Sequence, residues 1–275
     1  MASQTLKFTG IKTCLLLMMG CFLAAATSVH ADINTGTIEK MASAQVTIER
    51  LRKQKTPDWE KIRAKYDVIA PLVQETDRKK GLTYDQEIRA AIDRCAAGDK
   101  PKVNMQILAK GLQHVVVLNI RDELETMEDT GGGKIAALFE GIRPTFTRRD
   151  KDFYKAEPTL EKAADDALQS IRKSKGDLPM TAQMELNNTI DRTYGLCVLY
   201  EIIKVEKLRD SDPAACEVKV KEAEIFYRII QPRIAKYDAR AHEVVGNMLA
   251  ASYDQMNAAE LENWLNKGLQ GITLR

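Results

Sequence analysis

The sequence predicts an all-α fold, a helical bundle built from two to three imperfect helical repeats. Three observations carry that expectation. First, one spaced signature occurs three times: an aromatic ring, Ile three residues on, Pro two further, Asp six further. It reads Tyr66, Ile69, Pro71, Asp77, then Phe139, Ile142, Pro144, Asp150, then Tyr227, Ile230, Pro232, Asp238, at separations of 73 and 88 residues. An apolar residue sits four before each ring, at Ile62, Ile135 and Ala223. Identical spacing implies a duplicated structural unit. Second, apolar residues recur at steps of three and four along most segments, the period of a helix with one buried stripe. Third, alternation bounded by hairpin turns, the mark of strands, is absent.

In chain order, residues 1–31 come first and read as a signal peptide. Lys7 and Lys12 precede an apolar stretch from Cys14 to Ala26, and Val29-His30-Ala31 supplies a small-x-small cleavage site, with cleavage expected after Ala31. The stretch is too short for a permanent transmembrane helix, and no later segment is long and apolar enough to serve as one. Residues 32–56 are expected to form an N-terminal helix. The first repeat, 57–131, opens at Thr56-Pro57-Asp58, with Pro57 read as the first helical position. Trp59, Ile62, Tyr66, Ile69 and Val73 make its apolar stripe. Thr83-x-x-Gln86 reads as a capping box for a short helix through Cys95 that ends at Gly98, and Met105 to Leu124 as a long helix.

The second repeat, 132–212, comes after a break at Gly131-Gly132-Gly133 and carries helices at Leu160–Ile171 and Met184–Leu208. The third, 213–275, restarts at Asp212-Pro213, is truncated, and ends in a helix capped by Asn257-x-x-Glu260. Gly111-Leu112 and Gly195-Leu196 align within the two long helices. In the signature itself, the ring and Ile are expected on the buried stripe, Pro to bend or end the helix, and Asp to cap the next segment.

Charge and cysteine usage narrow the function. The leader holds two of the 41 Lys+Arg and no acid, so 39 basic residues face 39 acidic ones in the rest of the chain. That balance argues against a nucleic-acid binder, which needs a basic face. Cys95, Cys197 and Cys216 remain after the leader, too few for a disulfide framework, and their pairing is left open. No CxxC occurs, which argues against thioredoxin-like redox chemistry and c-type haem.

Candidate chemistry concentrates at the end of the first long helix. Asp122, Glu125 and Asp129 share one stripe there and Glu128 adds a further carboxylate, just before the triple glycine. Carboxylates at a helix C-terminus oppose its dipole, so iron or another hard cation would relieve the cluster. The alternative is a solvated face paired with Arg121 or the segment Arg148 to Lys151. His114 and His242 are weaker metal-ligand candidates, or satisfied imidazoles. Met180 and Met184, one turn apart, could face copper, or fill core. Nothing pairs a nucleophile with a base, so no enzymatic activity is expected.

Lys110-Gly111-Leu112-Gln113, Ile120 through Leu124 and Ala137 through Gly141 together resemble the iron-assimilating periplasmic proteins of the algal, high-CO2-induced type and their bacterial relatives. That resemblance implies a secreted helical protein implicated in iron uptake, with Glu-x-x-Glu and His-acid pairs as iron ligands. Glu125-x-x-Glu128 fits the first, while Asp122 stands where His is expected before Glu-Leu. The reading from sequence is therefore a secreted or periplasmic helical binding protein, an accessory in iron handling. Its alternative is a non-catalytic structural or interaction module whose partner is another envelope protein.

Overall fold

A computed structural model describes residues 35–126, 131–174 and 179–275. Among them lie eleven α-helices and no strand. These are α1 (Thr35–Leu51), α2 (Trp59–Lys80), α3 (Tyr84–Ala96), α4 (Pro101–Thr126), α5 (Gly131–Glu140), α6 (Arg143–Phe153), α7 (Thr159–Lys173), α8 (Met180–Leu208), α9 (Pro213–Tyr237), α10 (Ala239–Ala250) and α11 (Ala258–Gly268). The leader and its cleavage point lie outside the described residues. No helix among those described is long and apolar enough to cross a membrane.

Local sequence explains most boundaries. Asp58 is the N-cap of α2, its carboxylate accepting the Lys61 N–H at 3.0 Å, so Pro57 stands outside the helix rather than at its first position. Gly81 ends α2 in the left-handed conformation, at φ 65°, which only glycine adopts without strain. Asp212 and Asn257 cap α9 and α11 through bonds to Ala215 N–H (3.0 Å) and Glu260 N–H (2.9 Å). Gly131 to Gly133 form the first turn of α5 instead of a break before it.

The three signature aspartates do the same job across three different junctions. Asp77 accepts the Asp85 N–H at 2.8 Å, reaching the first turn of α3 from the end of α2. Asp150 accepts the Leu160 N–H at 2.8 Å and the Glu161 N–H at 3.0 Å, reaching α7 from α6. Asp238 accepts the Ala241 N–H at 2.9 Å and is the N-cap of α10. Each carboxylate thereby satisfies donors that a helix start leaves without partners. Asp77 also displaces the expected capping box: Thr83 makes no side-chain cap bond to α3 and donates to Glu87 at 3.0 Å instead.

The signature prolines behave differently from one another. Pro71 and Pro232 sit inside α2 and α9, which continue past them, whereas Pro144 opens α6. A proline ring removes one ladder bond, and packing on both sides of α2 and α9 sustains the helix around the loss. Tyr66, Phe139 and Tyr227 are all buried, as are Ile62, Ile135 and Ala223 four residues before them and Ile69, Ile142 and Ile230 three after.

The two long helices run through the interior. Fourteen residues of α4 and fifteen of α8 are buried, too many for a single stripe, so both are enclosed by other helices. α4 packs on α3 and α9; α8 packs on α7 and α9. The C-terminal tail closes over α8 at Gly195, where an added Cβ would lie 2.6 Å from Leu274 Cδ2. Tyr154 fixes that tail by donating to the Leu274 carbonyl at 2.8 Å. Cys95, Cys197 and Cys216 are all buried free thiols.

Candidate functional site

The acidic end of α4 is engaged with lysines rather than held open. Lys80 reaches Asp122 at 2.5 Å from the end of α2, and Lys134 of α5 lies 3.9 Å from Glu123. These cations replace the ones expected from sequence, because Arg121 turns inward and Arg149 pairs with Asp152. Glu125 is exposed, and Glu128 and Asp129 lie outside the described residues. Among the described residues no three His, Cys, Asp or Glu side chains come together as a metal-holding group.

Each histidine is taken up by a tyrosine. His114 on α4 is 6% exposed and its Nδ1 meets the hydroxyl of Tyr84 on α3, the two rings packing edge to face at 5.2 Å. Burial, with Arg121 and Arg228 adding to it, pushes the imidazole down to about 3. The ring is therefore neutral and shares one hydrogen bond with the Tyr84 hydroxyl through Nδ1. His242 on α10 meets the Tyr227 hydroxyl at 2.9 Å through its own Nδ1, with the rings stacked at 6.2 Å. Met180 and Met184 are exposed, at 73% and 57%, so neither fills the core.

Two buried ionic clusters escape a reading by periodicity. Asp191 of α8 sits between Arg121 of α4, at 2.6 Å, and Arg233 of α9, at 3.1 Å. The guanidiniums also donate to the Ile229 and Gln270 carbonyls, so the charges are paired as buried charges must be. The second cluster joins α8 and α9: Lys219 Nζ lies 2.9 Å from Glu201 and 3.2 Å from Glu222. Burial, then the neighbouring Glu222 charge, raises the Glu201 carboxyl to about 7, with Lys219 opposing. Burial works on Glu222 too, but Lys110 and Lys219 together hold it below the usual carboxylate range. Lys110 of α4 is itself 6% exposed and depressed, first by burial and then by Arg52 and Arg148, with its ammonium 4.9 Å over the Phe226 ring.

The surface at the junction of α9, α10 and α11 carries cations that rest on rings. Tyr237, the last residue of α9, is 48% exposed, with Lys236 Nζ 5.4 Å and Arg233 Cζ 5.5 Å from its ring centre. Trp264 of α11 is half-buried and carries two cations, Lys267 Nζ at 4.2 Å and Arg240 Cζ of α10 at 5.6 Å. Such contacts are worth about 0.5–1 kcal/mol at exposed sites, enough to order the long side chains against the rings. Among the described residues Lys236, Arg240 and Lys267 make these ring contacts and no ion pair. Elsewhere Arg143 binds Glu140, Glu161 and Asp165, while Lys204 and Arg192 also rest on rings, those of Tyr200 and Tyr154, and make no ion pair among the described residues. The sequence signal was present as Trp264-x-x-Lys267 and Lys236-Tyr237-x-x-Arg240, but the ring contacts of Arg240 depend on how α10 packs against α11.

No protein-family model matches this chain, and neither a curated protein nor a solved structure matches it.

Proposed function

We propose that this chain is an exported, non-catalytic helical interaction module of the cell envelope, and that it meets its partner through the basic and aromatic face around Tyr237 and Trp264. The observation that carries this reading is the set of three exposed cations, Lys236, Arg240 and Lys267, resting on rings and unpaired with acids among the described residues. Ordered cations beside amphipathic rings are what an anionic partner uses. Export rests on the leader sequence from Lys7 to Ala31. The scaffold, in this reading, is an internally repeated one, three units beginning at α2, α5 and α9. The bonds that Asp77, Asp150 and Asp238 each make to the start of a following helix, over eight, ten and three residues, support that organisation.

The other reading is an accessory in iron handling, with a hard cation at Asp122, Glu125, Glu128 and Asp129. It draws on the sequence resemblance. The ion pair of Asp122 with Lys80 favours a surface face there over a cation site.

Fractionation of producing cells tests the proposal. The wild-type protein is expected to stay with the envelope and to be released by raised salt, since attraction between exposed charges is screened. The same protein carrying Lys236→Gln, Arg240→Gln and Lys267→Gln is expected in the soluble exported fraction. Equal retention of both proteins would overturn the reading.

A further inference from the structure

Where α4, α6 and α8 meet, three side chains offer N–H groups for which the fold supplies no acceptor. Gln113 of α4 is 4% exposed. Its Oε1 accepts from Thr145 Oγ1 of α6 at 3.1 Å and from the Tyr194 hydroxyl of α8 at 3.2 Å. Those bonds fix the amide and leave its Nε2 group without an acceptor among the described residues. Lys110 stands one turn earlier on the same face of α4. It is 6% exposed, and its ammonium, 4.9 Å over the Phe226 ring, makes no hydrogen bond or ion pair among the described residues. The Phe226 ring lies 5.7 Å from that of Tyr194, whose hydroxyl holds Gln113, so ammonium and amide flank one pair of rings. Arg148 of α6 is half-buried, donates to Thr145 Oγ1 at 3.2 Å and reaches no carboxylate among the described residues. Thr145 thus ties the guanidinium to the amide.

The acids nearby are already taken. Glu49 receives Arg52 at 2.7 Å, Asp152 receives Arg149 at 2.6 Å, and Glu201 and Glu222 share Lys219 at 2.9 and 3.2 Å. Lys110 feels Glu222 and Glu49 on one hand and Arg52 and Arg148 on the other, and burial outweighs them all, holding it below the ordinary lysine value. Among these side chains four acids (Glu49, Asp152, Glu201, Glu222) stand against five cations (Arg52, Lys110, Arg148, Arg149, Lys219), a surplus of one positive charge. Buried donors in native folds are paired, and a bundle interior is where facing helices build ligand sites.

From this set of donors we infer that the α4–α6–α8 interior binds a small carboxylate, its oxygens accepting from Lys110 Nζ, Gln113 Nε2 and the remaining N–H groups of Arg148. A single negative charge matches the surplus, and a guanidinium receives a carboxylate through two parallel bonds. Arg148 marks the entrance, since it is half-buried and Thr147 beside it is exposed. The site shares no residue with the Tyr237 and Trp264 face, and neither reading depends on the other.

Thermal melts of purified protein lacking residues 1–31 test it, with sodium acetate exchanged for sodium chloride at constant ionic strength. The wild type is expected to gain about 2–4 °C at an acetate concentration several times the dissociation constant, and the gain should saturate. Lys110→Met keeps the apolar stem and should lose the gain. Arg148→Gln changes a half-buried position that makes no ion pair, and it should lose most of the gain. Melting curves without acetate establish that each variant folds. Absence of a saturable gain in the wild type overturns the inference. So does an undiminished gain in Arg148→Gln, which decides the matter should Lys110→Met fail to fold. A saturable response to sodium sulfate with none to acetate would overturn the carboxylate assignment.

Discussion

The Asp150 carboxylate bridges two helices by accepting the backbone N–H of Leu160 at 2.8 Å and, through its other oxygen, that of Glu161 at 3.0 Å. Asp150 is buried, so a side chain that cannot accept would leave two donors of α7 without partners or water. Replacing it by Ala should destabilise the protein by about 2 kcal/mol. Asp238→Ala removes a single cap bond at a half-buried site and should cost about 1 kcal/mol. Urea titrations of the two variants check the order. A smaller loss at Asp150 than at Asp238 would show that α7 starts without the bridge.

Phe139 is fully buried between α5 and α6 and packs edge to face against Phe146 at 4.8 Å. Phe139→Ala should cost about 3–5 kcal/mol, as a large core cavity does. Tyr66→Phe, which keeps the ring and loses only the 2.6 Å bond to Asp85, should cost about 1 kcal/mol. The comparison separates packing from hydrogen bonding at two signature rings.

Glu201 makes stability depend on pH in a defined direction. Its carboxyl stands at 4.5 in the unfolded chain and at about 7 in the folded one. A raised carboxyl contributes stability that is complete below the unfolded value and is lost as pH rises through the folded value. The wild type should therefore weaken between about pH 4.5 and 7 by on the order of 1–3 kcal/mol from this group. Glu201→Gln keeps an amide donor towards Glu222 and cannot titrate, so its stability relative to wild type should rise with pH across that window. Denaturation midpoints at several pH values for both proteins decide it. Parallel curves would mean that Glu201 is ionised throughout.

The buried thiols give a simple count. Burial pushes Cys95 and Cys197 up to about 11 and raises Cys216 as well, so none is a ready nucleophile. A thiol reagent should react slowly with the native protein lacking residues 1–31 and should find all three thiols in denaturant. Finding one thiol in denaturant would reveal a disulfide that the folded arrangement does not contain.

Thermal melts with iron, calcium and chelator separate the two functional readings. With Asp122 held by Lys80, neither cation should raise the melting temperature, and Glu125→Gln with Glu128→Gln should leave the cation response unchanged. A cation-dependent rise that the double variant loses would restore the hard-cation site at the end of α4.

The helices were legible in the sequence because their starts and faces are local. Asp58, Asp212 and Asn257 cap within three residues, and the buried positions of the three signature rings match the stripe of apolar residues around them. Tertiary reach explains where local reading stopped. Thr83 looks like a cap, yet Asp77, eight residues before Asp85, takes that role because α2 and α3 fold back on each other. Asp191, Glu201 and Lys110 are charged side chains of the two long helices. They are buried because α4 and α8 are enclosed by other helices, so the polar side of each helix faces protein instead of water. The basic corner was hidden for the same reason: Arg240 and Trp264 meet only through the packing of α10 on α11.

The most direct test of the interaction face is a binding isotherm of purified protein lacking residues 1–31 on isolated, washed envelopes, measured for the wild type and for the Lys236→Gln, Arg240→Gln, Lys267→Gln protein at matched melting temperature. Saturable, salt-sensitive binding by the wild type and a loss of about a hundredfold in the variant are expected. Superimposable isotherms for the two proteins would contradict it.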